Sequence, residues 1–261
     1  MTHGTSLTVA PRARLTDVTS TLLNFAITTF DVDPERLAAF LPSGLEVERF
    51  TLDDGRVRAM VSAVTFENTH FYVHFAPFLK LRCEQTNYRA YVRRGGERAV
   101  WFFGTGLASP FVNLPRYAWR LPWHRMRVTC ESRWEGESLG ELSWHARAEG
   151  AEEQLGVRGS GEPLERLDGF TSRDETHAVL THPLVGYLRR RDRRIVTYGV
   201  WHAPLVMEVA TPTRARFERF ERLGLVARDQ APHSVLVQRS TDFLVRLPPQ
   251  RVRAMELPRE G

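Results

Sequence analysis

The chain is nearly free of lysine. Lys80 is the only one in 261 residues, so 35 of the 36 basic side chains are arginine. Chemistry that needs an amine nucleophile has one side chain to draw on. Cysteine is almost as scarce. Cys83 and Cys130 stand far apart in sequence and form no zinc-ligand spacing; a single bridge between them is the minor reading. They are expected to be reduced thiols. No apolar run approaches the roughly eighteen residues of a membrane span, and residues 1–15 carry Pro and Arg but no apolar signal core. The expectation is a cytoplasmic protein with no membrane partner. P-loop, dinucleotide-binding and G-x-S-x-G signatures are all missing, and Gly104-Thr105-Gly106 lacks the third glycine. His70 and His74 have a chelating spacing only on a helix, and their surroundings are aromatic and irregular, without H-E-x-x-H. No metal and no cofactor is expected.

What is present is an ordinary globular composition. Hydrophobic residues make up 42%, charged residues 26% and aromatics 10%, too apolar for a disordered chain. The net charge of +5 could signal nucleic acid, but 31 acidic residues nearly balance the arginines. The Arg189–Arg194 run reads as a solvated turn. Arg214, Arg216, Arg219 and Arg222 are interspersed with Glu218 and Glu221. Nucleic acid is therefore kept only as a remote alternative, to be judged by salt-dependent binding.

The order of predicted elements is β-rich. Residues 21–30 form an apolar strand, and Asp33-Pro34 opens a short helix ended by Pro42-Ser43-Gly44. Residues 45–50 and 57–66 are strands around an Asp53-Asp54-Gly55 turn. An irregular aromatic stretch follows at 67–78. Residues 79–92 and 99–107 pair across Gly95-Gly96 as the clearest hairpin. A helix is expected at 111–119, strands at 124–134, 139–148 and 154–160, and a helix at 174–180. Strands at 195–202 and 205–210, an amphipathic helix at 213–223 capped by Gly224, and strands at 234–239 and 243–247 complete the chain. No repeat or linker interrupts it. The reading is a flexible tail at 1–15, one domain at 16–250 and a tail at 251–261.

Four motifs in order then become specific. They are Leu41-Pro42-Ser43-Gly44-Leu45; Glu84, Asn87, Arg89, Tyr91 and Val92 followed by a Gly turn and Val100-Trp101-Phe102-Phe103; Pro115-Arg116-Tyr117 leading to Leu121-Pro122-Trp123; and His202-Ala203-Pro204. This pattern resembles the bacterial domain-of-unknown-function-2071 family, a branch similar to the acetoacetate-decarboxylase-like superfamily. The resemblance implies a mainly β (α+β) fold: a closed antiparallel β-barrel or cone with a few flanking helices and an interior pocket for a small-molecule ligand. It also makes a homo-oligomer the default expectation. In true acetoacetate decarboxylases a Schiff-base lysine follows a Pro just after the barrel hairpin. The matching place here is Pro115-Arg116, and arginine cannot serve as that amine.

Candidate site residues follow. Glu84 sits mid-strand among apolar residues, either as a pocket base or as half of a buried ion pair. His202 at a strand end is the candidate acid, or a satisfied structural histidine. Arg116 could fork onto a carboxylate or pair on the surface. Asn87 is a candidate polar lining residue. Arg89 is a ligand-binding candidate whose odd parity relative to Glu84 points it to the other strand face. Lys80 shares Glu84's parity but lies far from the family's lysine position. Two readings stay open: a barrel that binds and acts on a small carboxylated ligand, and a non-catalytic binding or structural pseudo-enzyme.

Overall fold

The computed structural model describes residues 10–148, 150–252 and 255, apart from the side chains of Phe111, Leu114 and Pro115. The expected tails therefore lie largely outside the described residues. The strands are β1 (Val18–Val32), β2 (Glu46–Val47), β3 (Phe50–Thr51), β4 (Val57–Val73), β5 (Leu81–Arg94), β6 (Glu97–Leu107), β7 (Trp123–Arg125), β8 (Arg127–Glu135), β9 (Ser138–Ala148), β10 (Ala151–Pro163), β11 (Val185–Arg189), β12 (Ile195–His202), β13 (Glu208–Phe217), β14 (Ser234–Val245) and β15 (Gln250–Arg251). Short helices are α1 (Pro34–Ala38), α2 (Asn113–Ala118), α3 (Arg173–Leu180) and α4 (Glu218–Arg222). The fold is mainly β, as expected.

Seven strands close on themselves in the order β12-β11-β6-β5-β4-β1-β14, because β12 pairs with both β11 and β14. The closing register is Val200↔Val245, Trp201↔Leu244 and His202↔Phe243. Six of these seven pairings are antiparallel, whereas β6 and β11 run parallel, Gly186 beside Val100. The expectation of a wholly antiparallel ring is corrected at that seam. A parallel neighbour requires a long crossover, and the chain leaves β6 through α2 and β7–β10 before returning by α3. From β14 the sheet continues outward through β13, β10, β9 and β8 and curls back over the ring. Two apolar cores result. One lies inside the ring around Phe25, Ile27, Val64 and Leu236. The other, around Phe30, Trp144, Leu155 and Phe220, lies between the ring and the outer strands.

Local sequence accounts for most elements. Asp33 caps α1, its carboxylate accepting from the Glu35 and Arg36 amides at 2.9 Å. Gly95 and Gly96 both take positive φ (55° and 85°), the mirror-image turn that suits a twisted hairpin. The arginine run is the β11–β12 turn, closed by the Arg190 amide on the Arg194 carbonyl at 2.8 Å. There Asp192 pairs with Arg190 (3.2 Å) and Arg120 (3.6 Å). Cys83 and Cys130 are free thiols.

Two segments differ from expectation. Residues 67–73 are not irregular: β4 runs on to Val73 because β1 and β5 flank it, with Val18 opposite Val73. The helix expected at 213–223 begins only at Glu218. Before it, Ala215 and Phe217 alternate into the core and pair with Leu155 and Glu153 of β10. Unpaired strand edges outweigh the weak helical pattern there. Residues 45–50 form only the short β2 and β3.

Polar groups in the buried layers are satisfied by arginines and hydroxyls. Glu48, buried, accepts from Arg93 and Arg98, each at 2.9 Å, and Arg98 also reaches Glu175 of α3 at 3.1 Å. Between ring and outer strands, Glu153 is 3% exposed. It accepts from Tyr88 Oη, from Thr86 Oγ1 at 2.7 Å and from Trp144 Nε1 at 3.4 Å. Arg219 stacks on Tyr88 at 5.2 Å and donates to the Phe103 carbonyl at 2.7 Å. Gly104 must lack a Cβ here, since one would meet the Arg219 guanidinium at 2.7 Å. Burial pushes the Glu153 carboxyl above its ordinary 4.5, opposed by its three donors and Arg219. His124 stacks near Tyr88, and burial, then Arg219 and Arg116, bring it down to about 4.

Two stability predictions follow from these networks. Glu48→Gln leaves two arginines sharing a neutral acceptor, so it lowers unfolding free energy by about 2 kcal/mol, read from urea midpoints. The raised folded-state value of Glu153 means that its stabilisation is complete below the ordinary glutamate value and is lost as pH rises above 4.5 through the folded value. Urea midpoints measured from acid to neutral pH therefore fall more steeply for the native protein than for Glu153→Gln. Parallel curves would remove Glu153 as the source.

Candidate functional site

Strand β5 decides the site. Its side chains alternate, and both of its faces are buried. Gln85, Asn87 and Arg89 point into the ring, while Glu84, Thr86 and Tyr88 point to the outer layer. Inside the ring is a cavity of about 150 Å³. Its walls are mostly apolar. Phe25 meets Phe66 at 6.0 Å and Phe243 at 5.8 Å, and Phe102 stacks on Tyr198 at 5.6 Å.

One polar stripe crosses this apolar lining over four adjacent strands. Ser20 Oγ donates to Asn68 Oδ1 at 3.0 Å. Asn68 Nδ2 donates to Gln85 Oε1 at 3.0 Å, and Gln85 Nε2 donates to Asn87 Oδ1 at 2.9 Å. Thr105 Oγ1 closes on the same Asn87 oxygen at 2.8 Å. Each side-chain carbonyl in the stripe is therefore already accepting, and the amide N–H groups of Asn87 are what remains to offer. Five residues from β1, β4, β5 and β6 thus form one chain; the Ser20 and Thr105 hydroxyls have spent their protons within it, and the Asn87 amide is left with donors to offer.

Arg89 stands beside the stripe. Its Nη2 donates to the Leu180 carbonyl at the end of α3 (2.8 Å), and its guanidinium lies 5.3 Å from the Tyr91 ring centroid. Arg89 Nε is buried with no hydrogen-bond partner. Among the described residues it is the one fixed charge lining the cavity, and no carboxylate lines it. Burial raises the Tyr198 hydroxyl, with Arg89 opposing, so that phenol stays protonated.

His202 is 2% exposed and stacks on Phe243 at 4.6 Å. Its Nδ1 lies 2.8 Å from the Ala203 carbonyl. A carbonyl only accepts, so Nδ1 carries the proton and Nε2 holds the lone pair. Burial lowers the His202 pKa; the Ala203 and Thr181 carbonyls oppose this and Arg89 adds to it. The ring is a neutral imidazole. His182 packs edge-on against it at 5.2 Å and is itself brought down to about 4, chiefly by burial.

The sequence candidates divide between two places. Asn87, Arg89 and His202 come together around the cavity. Glu84 does not: it is half-buried on the other face of β5, directly opposite Glu67. There it helps hold the Cys130 thiol up at about 12, after burial and Glu67. Arg116, on α2, is half-buried over the Tyr117 ring at 6.0 Å, and its charge is felt at His124 outside the ring. The expected trio of Glu84, Arg116 and His202 is not one cluster. Lys80 is exposed and precedes β5. Ser20, Asn68, Gln85 and Thr105 were missed. The spacing Gln85-x-Asn87-x-Arg89, three polar side chains on one face of a strand, was the signal that could have found the stripe. No cluster of ligating side chains that could hold a metal occurs among the described residues, and no described helix is long and apolar enough to cross a membrane.

Solved structures share this architecture at low identity. An acetoacetate decarboxylase-like enzyme from Sphingomonas wittichii RW1 superposes with TM-score 0.60 at 12% identity, covering 92% of this chain and 94% of that one. The enduracididine biosynthesis enzyme MppR, complexed with the condensation product of pyruvate and imidazole 4-carboxaldehyde, gives 0.58 at 14%, covering 95% and 92%. Acetoacetate decarboxylase from Legionella pneumophila subsp. pneumophila str. Philadelphia 1 gives 0.56 at 14%, covering 94% and 92%. Such likeness shows a shared acetoacetate-decarboxylase-like fold. No curated protein sequence matches the chain. The family that does match, over residues 19–242, is DUF2071, described as an uncharacterized conserved protein, and the chain belongs to it.

Proposed function

We propose that the ring cavity binds a small, partly apolar organic acid without covalent attachment. The observation that carries this reading is the cavity's charge and hydrogen-bond balance: one arginine, no carboxylate, and a stripe that leaves the Asn87 amide N–H groups free to donate. A carboxylate or keto oxygen is the complement of that set, and the aromatic walls suit an apolar remainder. Arg89, with Nε unpartnered, takes the role that sequence reasoning assigned to Arg116. MppR has been solved with pyruvate, a keto acid, which supports the same ligand class. An imine is not part of the proposal, because Lys80 is exposed outside the ring and a guanidinium cannot replace an amine nucleophile.

The test is calorimetric titration with benzoate and phenylpyruvate. The native protein binds, and Arg89→Gln weakens binding by about tenfold or more, the loss of one charge-assisted contact. Benzamide, which keeps the ring and lacks the charge, binds more weakly than benzoate. Absence of binding by both acids, or equal affinity in Arg89→Gln, rejects the site.

A second reading, proton transfer on the bound acid, has one observation in its favour: the neutral His202 with its Nδ1 proton held by Ala203. His202→Asn keeps a donor for that carbonyl and removes Nε2. Proton NMR in heavy water then follows exchange at the carbon beside the phenylpyruvate keto group. Native protein accelerates exchange above the pH at which His202 protonates, which burial places below its ordinary 6.5, and the variant does not. Equal rates reduce the function to binding alone.

A further inference from the structure

The turn joining β4 to β5 is the least expected surface of the molecule. Eight large apolar side chains are exposed among the described residues, and four of them meet here: Leu15 (73%), Phe75 (66%), Phe78 (86%) and Leu79 (54%). Two chain segments build the patch. The Phe75 amide donates to the Leu15 carbonyl at 2.8 Å, and the His74 amide to the Asp17 carbonyl at 3.0 Å, so the 10–16 segment lies along the turn. The turn itself is tightened by the Ala76 amide on the Val73 carbonyl (2.9 Å) and the Leu79 amide on the Ala76 carbonyl (3.0 Å). Phe78 and Leu79 project outward from this tip.

Charge around the tip has one sign. Arg12, Arg14 and Lys80 are exposed. No acidic residue occurs from Thr69 to Arg82 or from Ala10 to Thr16. Of the flanking acids, Asp17 is fully buried and paired with Arg246, Glu67 holds Arg82 at 3.1 Å, and Glu84 is half-buried within β5 opposite Glu67. An aromatic and aliphatic tip ringed by unopposed cations matches the interface of an anionic lipid bilayer. There apolar side chains enter the acyl boundary and Lys or Arg face the headgroups. A protein partner would have to offer both an apolar pocket and acidic rims. A second copy of the same patch would bring like charges together. The ring cavity occupies this same end of the molecule, since its wall residue Phe71 pairs with Leu81 at the base of the turn.

We propose that Phe75, Phe78 and Leu79, with Leu15 and the cations Arg12, Arg14 and Lys80, form a peripheral docking tip for an anionic membrane surface. A contact of this kind needs no spanning segment, so the lack of an apolar run in the sequence does not bear on it. It stands apart from the proposed ligand site and does not depend on it.

Co-sedimentation with extruded vesicles tests it. Native protein partitions onto phosphatidylcholine vesicles containing phosphatidylserine, not onto phosphatidylcholine alone, and raising salt weakens the binding. The double variant Phe78→Ser, Leu79→Ser lowers the partition by about tenfold or more, with an unchanged circular dichroism spectrum. Lys80→Glu lowers it too, and neither variant touches the core. Three results overturn the proposal: no partition of the native protein onto anionic vesicles, partition that survives the double variant, or a native dimer in sedimentation that the double variant dissolves, which would assign the patch to a second copy of the chain.

Discussion

The structure depends on one strand being buried on both sides. Strand β5 is wall to the ring on one face and floor to the outer strands on the other. Alternation of side chains along a strand turns its sequence into two lists. Gln85, Asn87 and Arg89 belong to the cavity, and Glu84, Thr86 and Tyr88 to the layer that holds Glu153. A shift of one residue in β5 against β4 would exchange the lists. Arg89 would then face Glu153, and Glu84 would enter an apolar cavity with no cation. The register Asn87↔Val64 and Asn87↔Thr105 therefore fixes the chemistry as much as the packing.

That same strand explains how much could be read beforehand. The hairpin of β5 and β6, the capped α1 and the boundaries of β12 follow from local signals: a Gly-Gly turn, Asp33 before Pro34, and an apolar run. The parity of Glu84 against Arg89 was also legible. Which parity faced the lumen was not, because a strand with water on neither side carries no polar-out pattern to orient it. Glu84 looked like the pocket residue through its oddity among apolar neighbours. Its actual surroundings are Glu67 of β4 opposite it and Cys130 of β8, which lies more than thirty positions along the chain. Arg116 was placed by alignment to a lysine, and α2 holds it near His124 instead. The 213–217 segment reads as helix only while its partner β10 is unknown.

The scarcity of lysine has a structural counterpart. Arg89, Arg116 and Arg219 each lay a guanidinium over a tyrosine ring, at 5.3, 6.0 and 5.2 Å. All three leave Nε without a partner. A planar, weakly hydrated cation tolerates that environment, with its face on an aromatic and, for Arg89 and Arg219, its edge on a carbonyl; a compact ammonium does not. Whatever bias set the composition, the interior has been built around guanidinium geometry. A lysine introduced at these places would exchange a stacked, partly satisfied cation for a desolvated one.

This bears on how far the fold carries a reaction. The decarboxylase-like scaffold closes a ring around an apolar space, and an apolar space is what depresses an amine's pKa enough to make it a nucleophile. Here the same space surrounds a guanidinium, which stays charged under any burial the protein can impose. In the proposed reading desolvation strengthens the attraction of Arg89 for an anion, and it keeps His202 neutral as it would an amine, while the guanidinium has no lone pair on nitrogen for bond formation. The proposed binding of an acid rests on this: a fixed cation, the amide N–H groups of Asn87 aligned by a chain that starts at Ser20, and no carboxylate to compete. In that reading any chemistry beyond holding has to come from a base already in place, and among the described residues lining the cavity the neutral imidazole of His202 is the basic group.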